Sequence, residues 1–253
     1  MLGNDGFEGQ VLLVPYVKGA DRCYAESRGV CPGGGRAPEV LRLAGGRSAC
    51  SVSRMKQRLG EDRTTALALV AAMIVFMWLL ETIDYIAPGT PLDRYGVHPR
   101  DPAGLLEIFS APFLHVGFGH LISNTVPFAL MGAAIALGGI MRVALVTLIV
   151  AVVSGLGIWL IAPSNEVHLG ASGLVFGYAA YLVARGILSR RFIELAVGVV
   201  VIGVWGIGLL QGLLPQDRIS WQAHLFGAIG GVIAAYYLAG KREPVATAPV
   251  PAA

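Results

Sequence analysis

The sequence predicts an all-α, polytopic membrane protein built as a bundle of six transmembrane helices. Three observations predict it. Hydrophobic residues make up 55% of the 253-residue chain and charged residues only 14%, where an average soluble protein carries about 25% charged. Mean hydropathy is +0.66. The charges that remain gather between long uncharged stretches, as span ends would require. A net charge of +3 is too small to imply a nucleic-acid partner; the implied surroundings are a lipid bilayer.

Residues 1–54 show no sustained apolar period and have glycine-rich breaks, so they are expected to form a disordered N-terminal extension. They contain no continuous apolar core followed by a cleavage site, and no signal peptide is read there. The chain's three cysteines, Cys23, Cys31 and Cys50, all lie in this stretch, match no zinc spacing and leave at least one unpaired. Met55, followed by the basic "KQRLGEDR", is a candidate start for the chain.

Crossing a hydrocarbon core of about 30 Å takes about 20 apolar residues. Six stretches qualify, at about 65–87, 117–138, 141–162, 171–188, 192–210 and 222–240, giving a six-helix domain over 55–240. The tail at 241–253 is rich in Pro and Ala and is expected to be flexible. Basic residues set the orientation. Arg54, Lys56, Arg58 and Arg63, then Arg142, then Arg185, Arg190 and Arg191, then Lys241 and Arg242 all fall on one side. The other side has Arg94, Arg100 and Arg218, balanced by Asp84, Asp93, Asp101, Glu107, Glu166 and Asp217. Both termini are therefore expected in the cytoplasm of a multi-pass protein of the cell membrane.

Polar side chains inside membrane spans are costly and face the protein interior by default. Three sets sit at one depth, just inside the outer ends of the spans. Span two opens "HVGFGHLISNTVPF", with His120 and Asn124 four apart on one face. Span four opens Gly170-Ala171-Ser172-Gly173, and span six opens Ala223-His224. Serine is a weak nucleophile unless a base takes its proton, which neutral His224 can do. An oxyanion formed by attack on a carbonyl then needs donors, which Asn124, His120 and the Ser172 N–H can supply. No Asp or Glu is read near the site within the spans, so the arrangement is a dyad without an orienting carboxylate. The pairs Gly173/Gly177 and Gly227/Gly231 are G-x-x-x-G patterns that allow spans four and six to approach closely.

Taken alone, a serine between glycines in a membrane helix is a packing residue; His224 and the span-two pair reverse that reading. His168, four residues before Ser172, is read as a loop residue, and Glu107 and Glu194 as interfacial.

"GASGLVFG", "AHLFGAIGG" and "HVGFGHLISN" resemble the three signatures of the rhomboid intramembrane serine proteases. "GVHPR" and "APFLH" look like the first external loop of bacterial members. The resemblance covers about residues 65–240. It implies Ser172 as nucleophile and His224 as general base, with His120, Asn124 and Gly170 on the oxyanion and substrate-binding side. Gly173 and Gly227 take the family's motif glycines, and His115 shapes the site from the loop–helix junction. Phe176 matches an aromatic, often tyrosine, that packs on the catalytic imidazole. Leu106-Glu107 departs from the Trp-Arg pair that some members carry.

The resemblance further implies cleavage of single-pass membrane proteins near the outer end of their helix, with no metal or cofactor. The alternative is a rhomboid-like pseudoprotease that binds membrane clients without cutting; such proteins lack the Ser/His pair. A transporter would call for internal repeats or an acidic relay, which are not seen, and a zinc protease for H-E-x-x-H.

Overall fold

The computed structural model describes residues 46–87, 91–189, 192–216 and 219–238. The chain divides into two units, Met1–Gly60 and Glu61–Ala253, and the candidate site lies in the second. Expectations for residues 1–45 and for the 241–253 tail fall outside the described residues. The first helix begins at Gly46, so residues 46–54 of the stretch expected to be disordered are helical.

Among the described residues six long helices carry the fold: α1 (Gly46–Ile86), α2 (Gly117–Ala136), α3 (Ile140–Ile161), α4 (Ser172–Ser189), α5 (Phe192–Gly212) and α6 (Trp221–Leu238). Among the described residues there is no strand, only two isolated bridges. The protein is an all-helical polytopic membrane bundle. Five of the six helices are long and apolar enough to span a membrane; α6 is the exception. Its Trp221, Gln222 and His224 lower its apolarity, and the reason it tolerates them is its position. α6 packs chiefly on α4 and α3, so Gln222 and His224 are buried in protein and do not meet lipid.

Small residues set the tightest contact. A side chain on Gly227 would run into the Gly173 carbonyl, and one on Gly231 into the Gly177 carbonyl. The two G-x-x-x-G pairs therefore face each other, and the backbones of α4 and α6 touch. Around this contact the core is filled by Leu121, Phe128, Met131, Tyr178 and Tyr181, all fully buried. The one strongly polar group of Tyr178 is satisfied by Thr147 Oγ1 at 2.6 Å, as burial of a hydroxyl demands.

The loop between α1 and α2 is a built structure. Short 3-10 turns at Leu92–Tyr95 and Ala111–Phe113 flank a single helical turn at Gly104–Glu107. Val97 pairs with His168 through two backbone hydrogen bonds of 2.8 and 3.1 Å. Arg100 donates to the Leu160 and Ala162 carbonyls at 3.3 and 2.7 Å, where α3 ends and its carbonyls lack helical partners. The Trp159 indole donates to the Asp101 carbonyl at 2.7 Å. Glu107 turns inward, 2.7 Å from His98 Nδ1 and 3.0 Å from the His98 amide. It closes the loop on itself.

Candidate active site

The serine enters through a change of backbone direction. Gly170 has φ +118°, a conformation that side chains rarely adopt, and it turns the incoming loop into α4. Its N–H donates to the Ala111 carbonyl at 2.9 Å, and the next amide, that of Ala171, points at His115 Nε2 at 3.4 Å. A Cβ on Gly170 would sit 2.6 Å from His120 Cε1. The glycine is thus the clearance that lets the His120 ring lie beside the start of α4. Ser172, half-buried, is the first residue of that helix. Helix N-termini present N–H groups without intrahelical carbonyls and a partial positive charge.

His115 and His120 form the wall on this side, with ring centroids 5.2 Å apart at 65°. Burial and the neighbouring His120 push the His115 imidazole down to about 4, partly offset by the Phe113 backbone. His115 is therefore neutral at pH 7, as its role of acceptor toward the Ala171 N–H requires. His168 is also held below the ordinary histidine range by burial, against the opposing pull of Glu166. It lies in the loop as expected, but it is buried and its backbone is paired with Val97. Asn124 is buried on the same face of α2 as His120, and its side-chain amide donates to the His120 carbonyl at 3.1 Å.

His224 approaches from α6. Its ring stacks on Phe176 with centroids 4.0 Å apart and planes within 3°. Ser172 and Phe176 are four apart on α4 and share a face, so the imidazole lies over the face that carries the serine. His224 Nδ1 is 2.7 Å from the Gly212 carbonyl. A carbonyl only accepts, so the proton of the neutral ring is on Nδ1 and Nε2 keeps its lone pair. Gly212 is necessarily glycine in this arrangement, because a Cβ there would be 2.6 Å from Phe176 Cζ and 3.0 Å from His224 Nδ1. Behind the serine, Ser154 Oγ donates to the Ala223 carbonyl at 2.9 Å. A cavity of about 30 Å³ lies there, bordered by Ser154, His168, Gly170, Gly173, Ser220 and Ala223.

The fold brings Gly173, Phe176, His224 and Gly227 together at the α4–α6 contact, with Ser172 at the start of α4 on the Phe176 face, and sets Gly170 against His120, beside His115 and Asn124. Two residues escaped the sequence reading. Gly212 acts through its backbone, which leaves no residue signature. Glu81 stands inside α1, buried to 6% exposure, although no acid was expected within the spans near the site. It faces the Gly117 amide at the start of α2, where the helix end favours an anion. It helps seat α2 and is not the partner of His224. An ionisable residue in the apolar run "FMWLLETIDY" was the available signal. Among the described residues no group of His, Cys, Asp and Glu is placed to hold a metal.

Comparison with known proteins follows the same stretch of chain. The family model described as Rhomboid domain matches residues 102–241. An uncharacterized protein of Mycobacterium tuberculosis is 38% identical over 191 residues, 71% of this chain and 76% of its own. One from Mycobacterium leprae is 35% identical over 183 residues, covering 69% and 72%. A Bacillus subtilis protein named "Putative rhomboid protease YdcA" is 28% identical over 131 residues, covering 51% and 65%.

Proposed function

The chain belongs to the rhomboid family, and from that premise we propose that it is an intramembrane serine protease working through Ser172 and His224. The observation that carries this is the pose of His224: stacked on Phe176 over the serine-bearing face of α4, with its Nδ1 proton engaged by Gly212. Nε2 is left as the base. It takes the Ser172 hydroxyl proton as Oγ attacks the scissile carbonyl carbon. The resulting oxyanion is stabilised by the N–H groups opening α4 and by donors from His120 and Asn124. When the C–N bond breaks, the imidazolium returns the proton to the leaving amine, and water then hydrolyses the acyl-serine through the same base. The cavity of about 30 Å³ beside Ser154, His168 and Ser220 has room for such a water.

The substrates are membrane proteins with a single span, cut near the outer face where their helix is readily unwound. Substrate helices enter from the side of α5, the least covered of the five spans, with only Gly198, Val201 and Gly212 of its described residues buried.

Ser172→Ala and His224→Ala should each abolish cleavage of a reconstituted single-span substrate while leaving the bundle folded. The double variant should be no worse than either single one, since the two act as a unit. A fluorophosphonate should label Ser172 and fail to label it in His224→Ala. Full cleavage by folded Ser172→Ala would return the serine to a packing role, whereas a folded wild type that binds single-span proteins without cutting them would favour the client-binding alternative.

A further inference from the structure

We infer that the Gly212 carbonyl is a positioning member of the catalytic group, and that the sideways position of α5 thereby arms or disarms His224. This rests on the reading of His224 as the base. In a serine–histidine–carboxylate triad, the acceptor at the imidazole Nδ1–H keeps the ring in the reactive tautomer and orientation. Here that acceptor is the neutral carbonyl of the last residue of α5, 2.7 Å from Nδ1.

α5 differs from the other spans in how it is held. It packs against α4 and makes only marginal contact with the remaining helices. Its closest backbone approaches to α4 and its ion pair lie towards its first residue. Gly186 of α4 lies against the Glu194 carbonyl, where a Cβ would be 2.7 Å away, and Gly198 lies against Val183 Cα, where it would be 3.2 Å away. Arg185 of α4 meets the Glu194 carboxylate at 3.1 Å and donates to the Leu238 carbonyl of α6 at 2.9 Å. Further along, Val201 is buried and Trp205 and Leu209 rest on the core, while a Cβ at Gly203 or Gly208 would meet open space on the outer face of the helix. At the far end Gly212 comes back into contact, against Phe176 and the imidazole itself. The helix is pinned at its first turns, and its last residue rests on the base.

A tilt about the pinned end wide enough to admit a substrate helix draws the Gly212 carbonyl off Nδ1. The ring then keeps its Phe176 stack and loses the bond that selects its tautomer. Entry and cleavage become separate states, with the base armed only after α5 closes.

The test uses the full chain in lipid nanodiscs with ¹⁵N-labelled histidine, reading the His224 tautomer by NMR and the labelling rate of Ser172 with a small fluorophosphonate. The wild type should show the proton on Nδ1. Gly212→Ala should lose that signature and slow labelling by about 10²-fold, the scale of a small misplacement of a reacting group. Gly208→Ala, one turn earlier in open space, should change neither. A wild-type His224 protonated on Nε2 would overturn the inference, and this holds even if Gly212→Ala fails to fold. So would a folded Gly212→Ala with the wild-type tautomer and labelling rate. An unlabelled wild type that shows the Nδ1 proton would sink the protease reading and leave the tie between α5 and His224 standing.

Discussion

His115 shows how a single side chain can serve the site without touching the chemistry. Its neutral ring accepts the Ala171 amide immediately before Ser172, and burial holds it far below the ordinary histidine value of 6.5, at about 4. As pH falls through 6.5 the unfolded chain takes up the proton first, because the folded protein resists it. The contribution of His115 is therefore complete above 6.5 and is lost progressively towards 4. His168, also held low by burial, adds in the same direction. The unfolding midpoint should fall across this window, and His115→Gln should flatten the fall. An unchanged pH dependence in that variant would show that the ring is not buried neutral.

The residues of the site were legible for an electrostatic reason. A serine, two histidines and an asparagine inside apolar spans are expensive unless used, so their mere presence at one depth marked them. Glu107 was legible as a departure from the family pattern, but its pairing with His98 was not. That contact depends on how the loop folds back, which the spacing of residues does not state.

At the scale of elements, the contact between α4 and α6 decides whether the dyad can form. A short serine side chain meets an imidazole on another helix only where the backbones nearly touch, and glycines at 173, 177, 227 and 231 permit that. Gly231→Val would place a side chain against the Gly177 carbonyl and 2.9 Å from the Tyr181 amide. Overpacking of this kind costs about 1–3 kcal/mol, and the substitution lies two turns from His224. Thermal unfolding should shift down, and Ser172 labelling should slow with it; a variant of wild-type stability and reactivity would mean that the helices part without consequence. α5 has the opposite character, being mostly exposed and held at its ends. A disulfide tying its outer end to α2 should block cleavage of membrane-embedded substrates and leave fluorophosphonate labelling intact. Equal cleavage in the locked form would exclude entry past α5. The G-x-x-x-G pairs of α4 and α6 were readable beforehand because small-residue spacing is periodic. The pinning of α5 by Arg185 and Glu194 was not, since Glu194 read as interfacial in isolation.

For the whole molecule, the basic residues argue for both termini in the cytoplasm. In that proposed orientation the candidate site would open towards the outer face, because Ser172 and His224 both stand at helix starts on the side away from the basic clusters. Reporter fusions after Lys241 should read cytoplasmic and fusions near Gln216 external. The reverse pattern would place the catalytic end on the inner face and overturn the assignment of substrates cut near the outside.

What the sequence determined by itself was the composition of the bundle and which groups are candidates for the chemistry. Apolar runs of membrane-spanning length, charges gathered mostly at their ends and rare polar residues within them are local properties, each visible in a window of a few turns. Only the tertiary structure decided how those groups are held: His224 by the carbonyl of Gly212, α2 by Glu81, the loop by His98 and Glu107, α5 by Arg185. The physical reason is that backbone carbonyls and helix ends belong to every residue alike, so their partners are chosen by packing in three dimensions.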